Sequence, residues 1–130
     1  MRSSLTEDQV VDAVEAHLSQ AGWDILSTAK NGRTGIDVHA VRDGIDLEVE
    51  AKGAQAGKSG NSYSFSLVRQ HVARAIYPAL EAVARGHRGA IALPDDDAQR
   101  DAVKRVRPAL DSLGISFFWV TEDGTVSEDS

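Results

Sequence analysis

The sequence contains no cysteine, and this absence excludes both a disulfide framework and a metal site built from thiolates. No apolar run approaches the roughly 20 residues that a membrane-spanning helix needs. The N-terminus carries Arg2 but lacks the apolar segment of a signal peptide. We therefore expect a cytoplasmic protein that does not cross a membrane.

Positive charge is scarce overall but unevenly distributed. The chain has 14 Lys and Arg residues against 20 Asp and Glu residues, and this balance alone disfavours nucleic acid as a partner. Residues 30–88, however, carry nine bases and six acids, whereas both flanks are acidic. The sequence leaves two alternatives open, a basic surface in the middle of the chain or scattered, solvated charges.

The length of 130 residues and the hydrophobic fraction of 42% suit one domain spanning residues 1–130. Its core is expected over about residues 6–120. The acidic stretch 121–130, "TEDGTVSEDS", is expected to form a terminal hairpin or a tail that frays at its end.

Hydrophobic periodicity predicts the element order α-β-β-β-α-β-α-β. The first helix begins after a Thr6–Gln9 capping box. The next three segments form an antiparallel meander, and the later strands and helices form β-α-β crossovers. This order predicts an α/β fold with a mixed central sheet and helices on both faces.

The two later helices each contain a proline. The second helix is predicted to be kinked or divided at Pro78, with a core stripe of Val68, Val72, Ile76, Leu80 and Val83. The third is predicted to be capped within residues 95–97, to run to about Leu113 and to be interrupted at Pro108.

The segment "GIDVHAVRDGIDLEVEAKG" alternates with period two around an Asp43-Gly44 turn, which is typical of a β-hairpin. A two-residue turn opposes residues whose numbers sum to 87, so that one face of the hairpin is apolar. On the other face His39 is opposite Glu48, with which we expect it to pair, and Asp37 is opposite Glu50.

Two opposed carboxylates repel each other unless a positive charge lies between them. Lys52 lies on the same face and can supply part of that charge. A divalent cation does so better, because two acids, water and a phosphate oxygen make a typical Mg²⁺ site. The alternative is a solvated hairpin face with cross-strand ion pairs.

"GID" followed by "EAK" resembles the PD-(D/E)xK nuclease superfamily, and so does the element order over about residues 6–120. The likeness is to small Mrr-like or resolvase-like bacterial members of this restriction-endonuclease-like fold. It implies that Asp37 and Glu50 bind the metal and that Lys52 is catalytic. Ile36 departs from the pattern, because it stands where the proline of the motif would be.

The resemblance also implies roles for residues on the first two helices. It assigns Glu15 as the acid that the first helix contributes to the metal, and it assigns Gln70 as the glutamine found early in the helix after the third strand. The alternative for Gln70 is a solvated helix face.

Four bases are candidates for contact with a phosphate backbone. Lys30 and Arg33 flank the glycine-bearing loop before Asp37, and Arg69 and Arg74 lie on the second helix. Ordinary surface charge is the alternative for each. His71, on the same helix, is interpreted as a surface histidine.

The sequence therefore predicts a Mg²⁺-dependent nuclease that hydrolyses phosphodiester bonds, with DNA as the substrate and with Mn²⁺ able to replace Mg²⁺. A domain of this size has little surface for reading a target, so a homodimer or a partner is plausible. One alternative is a nucleic-acid-binding or protein-interaction module that keeps the fold without turnover. The other is a structural domain whose hairpin face is merely solvated.

Overall fold

A computed structural model describes residues 2–30, 35–54 and 65–129. Its helices are α1 (Glu7–Gln20), α2 (Phe65–Ala84), α3 (Asp97–Lys104) and α4 (Arg107–Ser112). Its strands are β1 (Asp24–Thr28), β2 (Val38–Arg42), β3 (Ile45–Ala51), β4 (Arg88–Pro94), β5 (Ser116–Val120) and β6 (Val126–Asp129).

The six strands form one mixed sheet in the order β1-β2-β3-β4-β5-β6. The pairs β1–β2 and β2–β3 are antiparallel, β3–β4 and β4–β5 are parallel, and β5–β6 is antiparallel. The prediction of a mixed sheet in an α/β fold is confirmed. Of the two alternatives predicted for the C-terminal stretch, a hairpin or a tail, the structure has the hairpin. The strand β6 pairs with β5 and extends the sheet past the predicted limit of the core.

Helices cover both faces of the sheet, as predicted. The helix α1 packs on one face, where its buried side chains are the predicted stripe Val10, Val11, Val14 and Leu18. The helices α2, α3 and α4 pack on the other face, against Ile91, Leu93, Phe117 and Trp119. Because neighbouring residues of a strand point to opposite faces, β4 and β5 supply both layers of core.

The predicted core stripe of α2 is partly wrong. Leu80 is 39% exposed, whereas Ile76 and Val83 are half-buried and pack against the core as predicted. The buried residues are Val68, Val72, Ala75, Ala79 and Ala82. The helix lies so close to the sheet that a Cβ on Gly89 would come within 2.7 Å of the Ala79 carbonyl oxygen, so only small side chains fit between them.

The prolines act differently in the two places. Pro78 lies inside α2, which runs without division from Phe65 to Ala84, so division, one of the two predicted alternatives, does not occur. The predicted interruption near Pro108 is confirmed, because α3 and α4 are separate helices and the proline occupies the first turn of α4. A proline is tolerated there, since the first N–H groups of a helix have no partner within it.

The register of the β2–β3 hairpin is confirmed from Val38–Val49 to Arg42–Ile45. Both turn residues have positive φ, 53° at Asp43 and 75° at Gly44, as the two-residue turn requires. The ladder ends at Val38, one pair short of the predicted Asp37–Glu50 pair. Asp37 directly precedes β2, where its carbonyl oxygen accepts a hydrogen bond from the Ala29 N–H.

The predicted side-chain pair of His39 and Glu48 is wrong, although their backbones are opposed. The His39 Nε2 lies 2.8 Å from Asp46 Oδ1, on the same strand as Glu48. Glu48 instead contacts Arg85 and His87, which follow α2. Burial pushes the pKa of Glu48 upward, but the hydrogen bonds from Arg85 and His87 outweigh it and hold the pKa below its ordinary value.

Candidate active site

The hairpin brings Asp37, Glu50 and Lys52 together at the C-terminal end of β3. Asp37 is 6% exposed, and its Oδ2 accepts a 2.8 Å hydrogen bond from the Ala51 N–H. The carboxyl groups of Asp37 and Glu50 also share a hydrogen bond. The backbone arrangement of the strand end therefore keeps two carboxyl groups in contact in a poorly hydrated place.

Lys52 supplies one positive charge to this pair. Its Nζ lies 3.6 Å from Glu50 Oε1, and only 17% of each of these two side chains is exposed. The Lys52 N–H donates to the Ala92 carbonyl, so that the backbone beyond β3 stays attached to β4. The predicted in-phase arrangement of Glu50 and Lys52 is therefore present in the structure.

A third carboxyl group, Glu7 on α1, also reaches Lys52. The Lys52 Nζ lies 3.9 Å from Glu7 Oε1. The start of α1 packs directly on Gly53: a Cβ there would lie 2.5 Å from the Glu7 nitrogen, and the Ala54 N–H donates to the Leu5 carbonyl. This close approach carries the first turn of α1 to the end of β3.

The acid of α1 that forms an ion pair with Lys52 is thus Glu7 and not the predicted Glu15. Eight residues separate the two along the helix, which is about 12 Å at 1.5 Å per residue. The charge of Glu15 instead acts on Lys30. The sequence signal for this approach is the glycine directly after "EAK", because a residue without a side chain permits close backbone contact there.

The carboxyl groups of the site carry more negative charge than Lys52 can balance. Burial, followed by the charge of Asp37, raises the pKa of Glu50 to about 7. Burial also raises the pKa of Asp37, against the opposing effects of the Ala51 N–H and Lys52. The pKa of Glu7 is raised by burial and then by Asp37. Three carboxyl groups around one ammonium group favour an additional proton or cation.

His71 on α2 also borders the site, although its sequence pattern indicated a surface position. Burial lowers its pKa, and the charges of Lys52 and Arg74 lower it further, against a hydrogen bond with the Gly53 backbone. The side chain therefore lies near the end of β3. A neutral imidazole is the favoured form in this position.

The remaining predicted residues lie around this group or apart from it. Gln70, Arg69 and Arg74 are exposed on α2, and of these only Arg74 has a charge effect that links it to the site, through His71. Lys30 forms an ion pair with Asp12, 2.6 Å between Nζ and Oδ1. Arg33 lies outside the described residues.

A cleft of about 270 Å³ opens beside Glu50, between the hairpin and α2. Its walls include Gly35 and Ile36 on one side and Pro78 and Ala79 on the other. Glu50 therefore borders a space that a ligand can enter, whereas Asp37 lies deeper.

Solved structures share this arrangement of helices and strands. An XisH family protein from Nostoc punctiforme PCC 73102 superposes with a TM-score of 0.59 at 14% identity, over 94% of this chain and 99% of that one. An fdxN element excision controlling factor protein from Anabaena variabilis superposes with a TM-score of 0.58 at 16% identity, over 95% and 99%. The fold of this chain is restriction-endonuclease-like.

No protein-family model and no curated protein matches the sequence. Among the helices of residues 2–30, 35–54 and 65–129, none has the length and apolarity needed to cross a bilayer.

Proposed function

We propose that this protein is a Mg²⁺-dependent nuclease that hydrolyses phosphodiester bonds of DNA. The observation that supports this proposal most is the convergence of Asp37, Glu50 and Lys52 at the end of β3, beside an open cleft. These are the residue types in which the sequence resembles the PD-(D/E)xK superfamily, and they lie in contact in a fold of the same class.

The donor atoms fit a hard divalent cation. Mg²⁺ and Mn²⁺ prefer carboxylate and water oxygens, and they are often held by one or two carboxylates together with a substrate phosphate. The Asp37 Oδ2 is engaged by the Ala51 N–H, so Oδ1 and the Glu50 carboxylate are the oxygens that would hold the ion. A cation there would replace the proton that the raised pKa of Glu50 retains.

When bound, an ion of this kind would lower the pKa of a water ligand and would offset charge on a phosphoryl oxygen. Lys52 would stabilise the negative charge that develops on a phosphate there, because its ammonium group lies 3.6 Å from the Glu50 carboxylate that would hold the ion. Glu7, whose Oε1 lies 3.9 Å from the Lys52 Nζ, would help to hold Lys52 in place. His71, with its lowered pKa, is available at neutral pH to accept a proton rather than to add another positive charge.

The nucleic acid would lie along the exposed side of α2. Arg69 and Arg74 are exposed there, with Gln70 between them in sequence, and Arg74 is near enough to the site for its charge to act on His71. We assign both arginines to phosphate contacts, which fix the position of a duplex without reading its sequence. One structural neighbour is named as a factor that controls excision of an element, and that name agrees with a role on nucleic acid. A second copy of the chain would provide the additional surface for a target.

The test is cleavage of plasmid, linear duplex, single-stranded and branched DNA, and of RNA, with Mg²⁺, Mn²⁺ or EDTA. We expect metal-dependent cleavage of DNA that Asp37→Asn and Lys52→Ala abolish or greatly reduce. The matched controls are Asp101→Asn and Lys104→Ala, exposed residues of α3 on which the proposed chemistry does not depend.

Two outcomes would contradict the proposal. Tight DNA binding without cleavage in any metal would indicate a module that has lost turnover. An absence of both cleavage and specific Mn²⁺ binding would indicate a structural domain.

A further inference from the structure

A second group of potential metal ligands lies on the same face of the sheet, away from the candidate active site. It consists of His39 on β2, Asp46 on β3 and His87 in the loop before β4, and it is called here the His39–Asp46–His87 cluster. One ligand atom from each side chain lies within 4.8 Å of the others. Within residues 2–30, 35–54 and 65–129, this is the only such group of three or more.

The interatomic distances suit a small metal ion. The His39 Nε2 lies 2.8 Å from Asp46 Oδ1, and the His87 Nε2 lies 3.7 Å from Asp46 Oδ2. Ligand bonds of about 2.0–2.2 Å in a tetrahedral site place neighbouring ligand atoms roughly 3.4 Å apart. The side chains therefore need only small shifts to surround an ion between them.

The orientation of His87 is already that of a ligand. Its Nδ1 contacts the Glu48 carboxylate, which is 5% exposed, and that carboxylate also accepts a 3.1 Å hydrogen bond from Arg85 Nε. When Nδ1–H donates to Glu48, Nε2 carries the lone pair, and this nitrogen lies 3.7 Å from Asp46 Oδ2. A buried carboxylate that fixes the second nitrogen of a histidine is the usual support of a histidine–metal bond.

The cluster is also accessible to an ion from solvent. The side chains of His39, Asp46 and His87 are 21%, 33% and 29% exposed, so an ion can enter and can keep a water ligand. The cluster is distinct from the candidate active site, because Asp46 and Glu50 are four residues apart on β3, about 13 Å at 3.3 Å per residue.

We propose that the His39–Asp46–His87 cluster binds one divalent transition metal ion of the Zn²⁺ class. Two imidazole nitrogens and one carboxylate favour Zn²⁺, Co²⁺ or Ni²⁺ over Mg²⁺, which prefers an all-oxygen shell. The ion would join the β2–β3 hairpin to the loop between α2 and β4. Its effect would be to stabilise the end of the hairpin that lies far from Lys52.

The experiment is calorimetric titration of the full chain, stripped with EDTA and then kept in excess Mg²⁺, with Zn²⁺ and separately with Co²⁺. We expect one equivalent of Zn²⁺ to bind, and Co²⁺ to develop visible absorption typical of nitrogen ligation. His87→Asn and Asp46→Asn should abolish both signals, whereas His17→Asn, a histidine on α1, should leave them unchanged. Asp37→Asn should also leave them unchanged, so the result does not depend on the proposed nuclease function.

Glu48→Gln tests the positioning role of the buried carboxylate. It should weaken Zn²⁺ binding by about tenfold to a hundredfold, the range found for partners that orient a ligating histidine, while the stoichiometry stays at one. If His87→Asn fails to fold by circular dichroism, His39→Gln provides the same test of ligation. Retained binding of one Zn²⁺ in the folded ligand variants, or no saturable binding in the wild-type protein, would overturn the proposal.

Discussion

Replacement of Glu50 by glutamine tests the electrostatics of the candidate active site most directly. In the folded protein the pKa of Glu50 is about 7, against an ordinary value of 4.5, because the carboxyl group is buried and lies beside Asp37. The folded state therefore keeps a proton that the unfolded chain has released. The contribution of Glu50 to the stability of the metal-free protein consequently falls as the pH rises through the window from about 4.5 to about 7.

The size of this effect follows from the pKa difference. One pKa unit corresponds to about 1.36 kcal/mol, so full ionisation of Glu50 lowers the stability of the folded state by roughly 3 kcal/mol. Solvent screening reduces this figure only modestly, since 17% of the side chain is exposed. Glu50→Gln keeps the shape and removes the charge. We expect the variant to match the wild-type protein near pH 4.5 and to be more stable than it at pH 8.

The assay is urea unfolding in EDTA between pH 4.5 and pH 8, followed by the fluorescence of the buried tryptophans. Other groups titrate in this window, so the informative quantity is the stability difference between variant and wild type at each pH. Glu81→Gln, which removes an exposed carboxyl group of α2, is the matched control for the substitution itself. A constant difference for Glu50→Gln, or a variant less stable at pH 8, would refute the reasoning.

Millimolar Mn²⁺ should raise the melting temperature of the wild-type protein, because the ion binds only the folded state, and Asp37→Asn should abolish that rise. An unchanged wild-type melting temperature would contradict the metal site. Asp37→Asn should also stabilise the metal-free protein slightly in urea, and equal losses of stability and cleavage would instead indicate a structural role. Lys52→Ala should leave the Mn²⁺ affinity, measured by calorimetry, unchanged or higher, while the rate of single-turnover cleavage falls roughly a hundredfold or more. An unchanged cleavage rate would remove Lys52 from the mechanism. Gly53→Ala should lower the free energy of unfolding in urea by about 1–3 kcal/mol, because the alanine Cβ would lie 2.5 Å from the Glu7 nitrogen. An unchanged free energy of unfolding would mean that the close packing of α1 on this position is not required.

These experiments test separate properties of the candidate active site. The stability measurements test whether the end of β3 carries excess negative charge, and they need no substrate. The cleavage measurements test whether that charge serves a metal-dependent reaction. Agreement between the two would connect the geometry of Asp37, Glu50 and Lys52 to catalysis.

Local patterns in the sequence were sufficient for the parts of the fold that depend on near neighbours. The Asp43-Gly44 turn and the period-two alternation determined the hairpin register, because a shift by one residue would expose the whole apolar face. The Thr6–Gln9 capping box determined where α1 begins. The pairing of Glu50 with Lys52 follows from the same alternation, since residues two apart on a strand share a face.

Other features were decided only by tertiary packing. The sequence could not show that Glu7, rather than Glu15, reaches Lys52, because that contact depends on how closely α1 approaches Gly53. Nor could it show that the side chain of Glu48 contacts Arg85 and His87, 37 and 39 residues away along the chain, instead of the cross-strand neighbour His39.

The core face of α2 was decided in the same way. Large aliphatic residues gave the stronger helical pattern, but the helix presents Ala75, Ala79 and Ala82 to the sheet because Gly89 brings the two backbones close together. Helical periodicity can identify a pattern that suits burial, but the distance to the neighbouring element determines which side chains fit there. The sequence by itself therefore determined the strand faces and the acid-lysine pair, whereas the partners of those groups depended on long-range contacts that no local pattern encodes.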